Sequence, residues 1–256
     1  MNYSPTANKW NLLLVILFCL VQAGLVIAFG VYTKEEATKY IYEADFFLQQ
    51  GQFSQPKYIF YSLYIFLQIL AFKLHAGFIG VYIFQLLLNG LATVCFYKLA
   101  LKVSGDKKAA FISTALLILC IPFQKWTAYL FTESIFFSLV IIFTYVLFTQ
   151  YKNANTRPLL LLLLLFLLII SRPTGMLLIP ASLILASHYL WANGKKWLML
   201  AVWLPGIAGL ILLLDTAIKG KGEFDFIKPF VEEHIICGLA GRPDAGPHDY
   251  SNSLGG

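Results

Sequence analysis

The sequence predicts an all-α fold: a polytopic membrane protein of about seven crossing helices, with interfacial helices in its first outer loop. Three observations carry this. Hydrophobic residues make up 59% of the chain and charged residues only 12%, against about 25% charged in soluble domains. Apolar runs recur at lengths near the roughly 20 residues that cross a hydrocarbon core. They alternate too little for barrel strands, and helices satisfy their own backbone groups where lipid offers no partner.

The first span runs over residues 10–31 behind Lys9. It is longer than a signal-peptide core and lacks a small-residue cleavage site, so it is expected to stay attached. Further spans are expected at 77–101, 109–128, 131–150, 158–171, 174–192 and 197–215. A further apolar piece, 58–74, is short for a crossing and carries Gln68 and Lys73.

Positive-inside counting places that piece. If 58–74 lies in the interface, every basic cluster falls on the cytoplasmic side: Lys9; Lys98, Lys102, Lys107 and Lys108; Lys152 with Arg157; Lys195 with Lys196. If it crosses, only Lys9 stays inside. The loop 32–76 is therefore expected to lie wholly outside, as two short helices against the membrane. The N-terminus is then cytoplasmic and the protein sits in a plasma or inner membrane. Residues 1–215 form the transmembrane module. Residues 216–256 are an extracytoplasmic tail, expected to be the start of a truncated C-terminal region.

The same placement sorts the acids. Of thirteen, only Asp106 is cytoplasmic. Glu35, Glu36, Glu43, Asp45, Glu133 and the acids from Asp215 onward gather outside, and none lies at mid-membrane depth. That weighs against an ion-coupled transporter, whose ionisable groups sit near the midplane. The net charge of +6 resides in short loops between spans, so no nucleic-acid partner is expected. Cysteines and histidines show no metal-ligand spacing, and hydrolase, P-loop and zincin motifs are absent.

Three places have the residue types for chemistry. Glu36, Tyr40, Ala44 and Phe47 share a helix face that Gly51 would end, with Glu43 nearby. The bland alternative is a solvated amphipathic helix. Arg172, in Ser171-Arg172-Pro173-Thr174-Gly175 between two short spans, suits a phosphate because its fork donates two bonds at once. Snorkelling to headgroups is the plain alternative. Glu133, in Phe131-Thr132-Glu133-Ser134, either opens a helix through the dipole or faces the same cavity as Glu36 and Arg172. Lys57 and Lys125 are further cations at that depth.

An uncleaved first span followed by an outer Glu36-Ala37-Thr38-Lys39-Tyr40 helix, running through Ala44 to Gly51, resembles the GT-C superfamily of membrane glycosyltransferases. Its nearest branch is family 39, with the protein O-mannosyltransferases and the lipid A aminoarabinose transferases. Pro56 to Leu74 and Gly77, the Phe131–Ser134 stretch and the Ser171–Gly175 turn resemble further landmarks, so the likeness covers about residues 10–215. The resemblance implies an inverting hexosyl or pentosyl transferase with a polyprenyl-phosphate sugar donor. The acceptor would be a glycan, a lipid or a protein at the outer face. It implies that Glu36, beside Glu35, is the catalytic carboxylate that takes or orients the acceptor's proton, where the family usually has Asp. Arg172 and Lys57 would bind the lipid phosphate, and Glu133 would be a second acid at the cavity. No cofactor is certain. Some relatives carry a divalent metal, for which Glu36 and Glu133 would be ligands.

Two other readings remain open. A carrier or flippase of lipid-linked sugars would line a path with Gln85, Asn89, Thr93, Thr114 and Thr144. An inactive, truncated membrane fragment would do neither.

Overall fold

The computed structural model describes residues 5–153, 158–192 and Trp203. The expected span 197–215, apart from Trp203, and the tail 216–256 lie outside the described residues, as do Arg157, Lys195 and Lys196. The chain divides into two compact units, Met1–Leu185 and Ala186–Gly256.

The described residues are helical. In order they form α1 (Pro5–Phe29), α2 (Glu36–Gln50), α3 (Ser62–Lys73), α4 (Gly77–Ser104), α5 (Lys107–Leu119), α6 (Ile121–Gln124), α7 (Thr132–Asn153), α8 (Pro158–Ser171) and α9 (Leu178–Ala192). Short 3-10 turns precede α3 and α9 and follow α6. The only extended pairing among them is an isolated bridge between Tyr32 and Tyr129.

Among the described residues three helices are long and apolar enough to cross a membrane: Lys9–Phe29, Gly77–Ser104 and Thr132–Thr149. A fourth crossing is available if the bent pair formed by Lys107–Leu119 and Ile121–Thr127 counts as one. Three or four of the seven expected crossings are therefore present among the described residues. The 158–171 and 174–192 spans appear as shorter apolar helices, Leu160–Ser171 and Pro173–Ile184. Many large side chains on the long helices, such as Leu20, Ile27, Ile79 and Leu87, are more than half exposed. An apolar surface that extensive is consistent with a membrane-associated protein.

Contacts at the helix ends define the bundle within the first unit. At one end Trp10 of α1 stacks on Phe111 of α5 with ring centroids 4.7 Å apart. Lys102 of α4 donates to Thr149 of α7 there too, at 3.2 Å. At the other end Tyr32 N–H donates to Ala128 O at 2.9 Å and Leu130 N–H to Tyr32 O at 3.0 Å. Gln85 of α4 reaches the carbonyl of Tyr129 at this second end, at 3.1 Å. Tyr64 near the start of α3 packs on Tyr40 of α2, and Phe72 near its end packs on Phe78 at the start of α4. Both ends of α3 therefore lie at the second end.

The expected 109–128 span is not continuous. It bends by 61° at Cys120, between α5 and α6, where Pro122 supplies no N–H to continue the ladder. The freed segment is stitched to α4 and α1 by buried amides. Asn89 donates to Gln124 Oε1 at 3.0 Å and to Thr127 Oγ1 at 2.6 Å. Gln22 donates to Gln124 Oε1 at 2.7 Å, and Gln124 donates to the Leu117 carbonyl at 3.0 Å. Polar side chains in an apolar bundle are stable when they find such partners.

Helix α2 ends as its sequence dictates, with Gly51 in the left-handed region (φ 72°) and its N–H bonded to Phe47 O. The face it packs keeps Tyr40 and Ala44 of the expected one, with Phe47 half-buried against Phe53 and Phe66. Ala37, Tyr40, Glu43 and Ala44 are buried, while Glu36 is exposed. Ala37 and Glu43 widen the packed stripe, and only its expected first member, Glu36, is left out.

Candidate functional site

The Ser171–Gly175 turn aims one cation. The Ser171 hydroxyl donates to Leu168 O at 2.8 Å, and Arg172 N–H donates to the same carbonyl at 3.2 Å. Arg172 leaves α8 in an extended conformation, and Pro173 starts the 3-10 turn that follows. Gly175 N–H closes back onto Arg172 O at 2.9 Å. A Cβ on Gly175 would stand 2.4 Å from Leu168 O, so only glycine lets this turn press on the end of α8.

The guanidinium so placed forms an ion pair through Nη1 with the Oε1 of Glu133, in the first turn of α7. The side chains are 27% and 13% exposed, so the pair is largely withdrawn from water. Burial pulls the Arg172 pKa down, but the charge of Glu133 and its hydrogen bond outweigh burial and leave it raised. Arg172 is a fixed cation.

Tyr40 completes the cluster from α2. Its ring packs on Tyr61 and Tyr64, with centroids 5.5 and 5.4 Å away. Burial above all, then the neighbouring Tyr61, Glu36 and Glu133, raises its pKa far above the ordinary 10.0, against an opposing hydrogen bond with Thr132. Tyr40 is therefore a neutral phenol that feels the charges of Glu36 and Glu133 and acts in turn on Arg172.

The other expected residues are placed more loosely. Glu36 reaches the cluster only through its field at Tyr40; its exposed carboxylate lies 3.8 Å from Lys39 Nζ. Glu35 precedes α2 with a positive φ of 56°, costly for a residue other than glycine. Its side chain bonds the Tyr32 phenol, whose pKa is raised by burial and then by that bond. Lys57 is exposed, with Nζ 5.6 Å from the Tyr58 ring centroid, and Lys125 sits likewise over Trp126 at 5.1 Å.

Against the alternative of a solvated amphipathic helix, Glu43 is fully buried, accepting from Ser54 N–H at 2.6 Å and Ser54 Oγ at 2.5 Å. It tethers the loop after Gly51. The one hint was its place beside Ala44 on the stripe that packs. Tyr61 and Tyr64 gave no signal, since an aromatic-rich helix looks the same wherever it lies.

An open groove of about 450 Å³ lies elsewhere, between Thr38, Ile41, Tyr42, Asp45, Leu48 and Phe72. It touches none of the ion-pair cluster. Among the described residues no three His, Cys, Asp or Glu side chains are grouped to hold a metal. No protein-family model, curated protein or solved structure matches the chain.

Proposed function

We propose that this chain is a membrane glycosyltransferase of GT-C type, moving a sugar from a polyprenyl-phosphate donor to an acceptor at the outer face. The single observation that supports this is the convergence of Arg172, Glu133 and Tyr40 at one end of the bundle, with the Glu36 charge acting on Tyr40. A fixed guanidinium in a poorly hydrated site is suited to charge developing on a departing phosphate. The seven-crossing arrangement of residues 1–215, the cytoplasmic N-terminus and the outward tail belong to the same proposal.

In this reading the acceptor hydroxyl attacks the anomeric carbon as its O–H proton passes to Glu36, oriented by Glu35. The anomeric C–O bond to phosphate breaks, and polyprenyl phosphate leaves with the electron pair. Arg172 and Lys57 meet its charge, and displacement inverts the anomeric centre. Glu133 keeps Arg172 in place until the phosphate arrives. Glu36 and Glu133 each already pair with a cation, Lys39 and Arg172, and no step is routed through a metal.

The carrier reading has less support. Beyond Gln85 and Asn89, which hold the segment after the bend, Thr93, Thr114 and Thr144 each donate to a carbonyl one turn back, on Asn89, Ala110 and Val140. These polar groups are consumed locally.

The test is transfer of label from polyprenyl-phosphate sugars in membranes containing the unaltered protein, Glu36→Gln or Arg172→Ala. Loss of transfer in both variants supports the proposal. Absence of transfer by the unaltered protein, or equal transfer by all three, refutes it.

A further inference from the structure

Tyr64 and Gln68 lie one turn apart on α3 and are both fully buried. Among the described residues, neither the Tyr64 hydroxyl nor either amide atom of Gln68 has a hydrogen-bond partner. The Gln68 amide stands beside the phenol, short of a full bond. Ser134 Oγ, next in sequence to Glu133, is buried and unpartnered as well. Each buried polar atom left unmade costs about 1–3 kcal/mol. Tyr64 packs on the Tyr40 ring with centroids 5.4 Å apart, and the charge of Glu133 acts on it, so the pair adjoins the ion-pair cluster through Tyr40.

Elsewhere in the same bundle Asn89 and Gln124 are bonded, and Gln22 and Gln85 leave one oxygen each unmade but bond their nitrogens, whereas Gln68 has neither amide atom met. The unmade bonds of α3 are concentrated on one turn. The missing chemistry is specific: Gln68 offers a donor and an acceptor at its tip, and Tyr64 offers a hydroxyl that does either. A cation would find only one carbonyl oxygen there, and a carboxylate would meet Glu133. A neutral oxygen that both donates and accepts answers all three atoms.

We propose that Tyr64 and Gln68 form a buried binding site for a neutral hydroxyl oxygen, supplied by a sugar or by water, beside the Arg172–Glu133 pair. The sugar arm rests on the transferase reading; the water arm does not.

The experiment compares thermal unfolding in detergent of the unaltered protein, Tyr64→Phe and Gln68→Met, with and without a methyl pyranoside. An occupied site predicts that each variant loses bonds its partners need, lowering the midpoint by about 2–4 °C. Protection of the unaltered protein alone by the pyranoside assigns the oxygen to a sugar. A lowered midpoint without such protection assigns it to water. Midpoints equal to or above that of the unaltered protein overturn the site, because deleting a polar group with no partner relieves its burial. A density map gives an independent answer. An oxygen within bonding distance of both side chains supports the site, and Tyr64 bonded only to Gln68 overturns it. Neither readout depends on transfer activity, so each can fail without the transferase proposal failing.

Discussion

Gly175 sits against the last turn of α8 so closely that its Cα faces the Leu168 carbonyl with no room for a methyl group. The same carbonyl accepts from Ser171 Oγ and from Arg172 N–H. One peptide oxygen thus anchors the whole turn that delivers the guanidinium to Glu133. Gly175→Ala should destabilise the protein by about 1–3 kcal/mol, in the manner of overpacked sites. It should also lower any activity that depends on Arg172, although residue 175 carries no functional group. Thermal unfolding and transfer assays on this variant check both expectations.

Removing one member of the Arg172–Glu133 pair leaves the other charge largely buried and uncompensated. Arg172→Ala and Glu133→Gln should each cost close to the low end of the roughly 3–5 kcal/mol seen for broken buried pairs, since Arg172 keeps some water. The double variant should cost less than the sum. A double-mutant cycle from denaturation in detergent measures that coupling, and additivity would deny the pair its energetic role.

Glu43→Ala removes two hydrogen bonds to Ser54 at once and strands its N–H. Bonds to a charged acceptor contribute about 1.5–3 kcal/mol each, so the loss should exceed that of Ser54→Ala, which keeps the N–H contact. Limited proteolysis should cut the 51–55 loop faster in Glu43→Ala than in the unaltered protein. Equal cutting rates would mean that the tether is not what orders the loop.

Tyr40 gives a pH prediction. Its folded pKa lies above the unfolded value of 10.0, so above that pH the unfolded chain releases a proton that the folded chain keeps. The native state then binds more protons, and stability falls as pH rises. Below about pH 10 this contribution is fully present. Unfolding midpoints of the unaltered protein should therefore drop between pH 10 and 11 more steeply than those of Tyr40→Phe.

Legibility in the sequence followed the range of the interaction. Gly51 as a helix stop and Pro173-Thr174-Gly175 as a turn follow from backbone preferences a few residues long, and both appear where expected. The long apolar helices were equally visible, because hydropathy is summed along the chain. Partners brought together by packing were not. Glu43 meets Ser54 only once the loop after α2 folds back, and the bend at Cys120 needs Asn89 and Gln22 to hold the segment it frees. On α2 the expected face packs through Tyr40, Ala44 and Phe47 but not Glu36, since the helix period fixes the spacing of a face while the neighbour fixes how much of it is covered.

The kinked segment after Cys120 has a bearing on biogenesis. Gln85 and Asn89 are made early in α4, yet every side-chain partner or carbonyl they use belongs to residues 124–131, synthesised later. In the proposed membrane arrangement, α4 would enter the bilayer with these amides unmet until residues 124–131 follow. A chain stalled before residue 124 should then be less protease-resistant than one extended past residue 131.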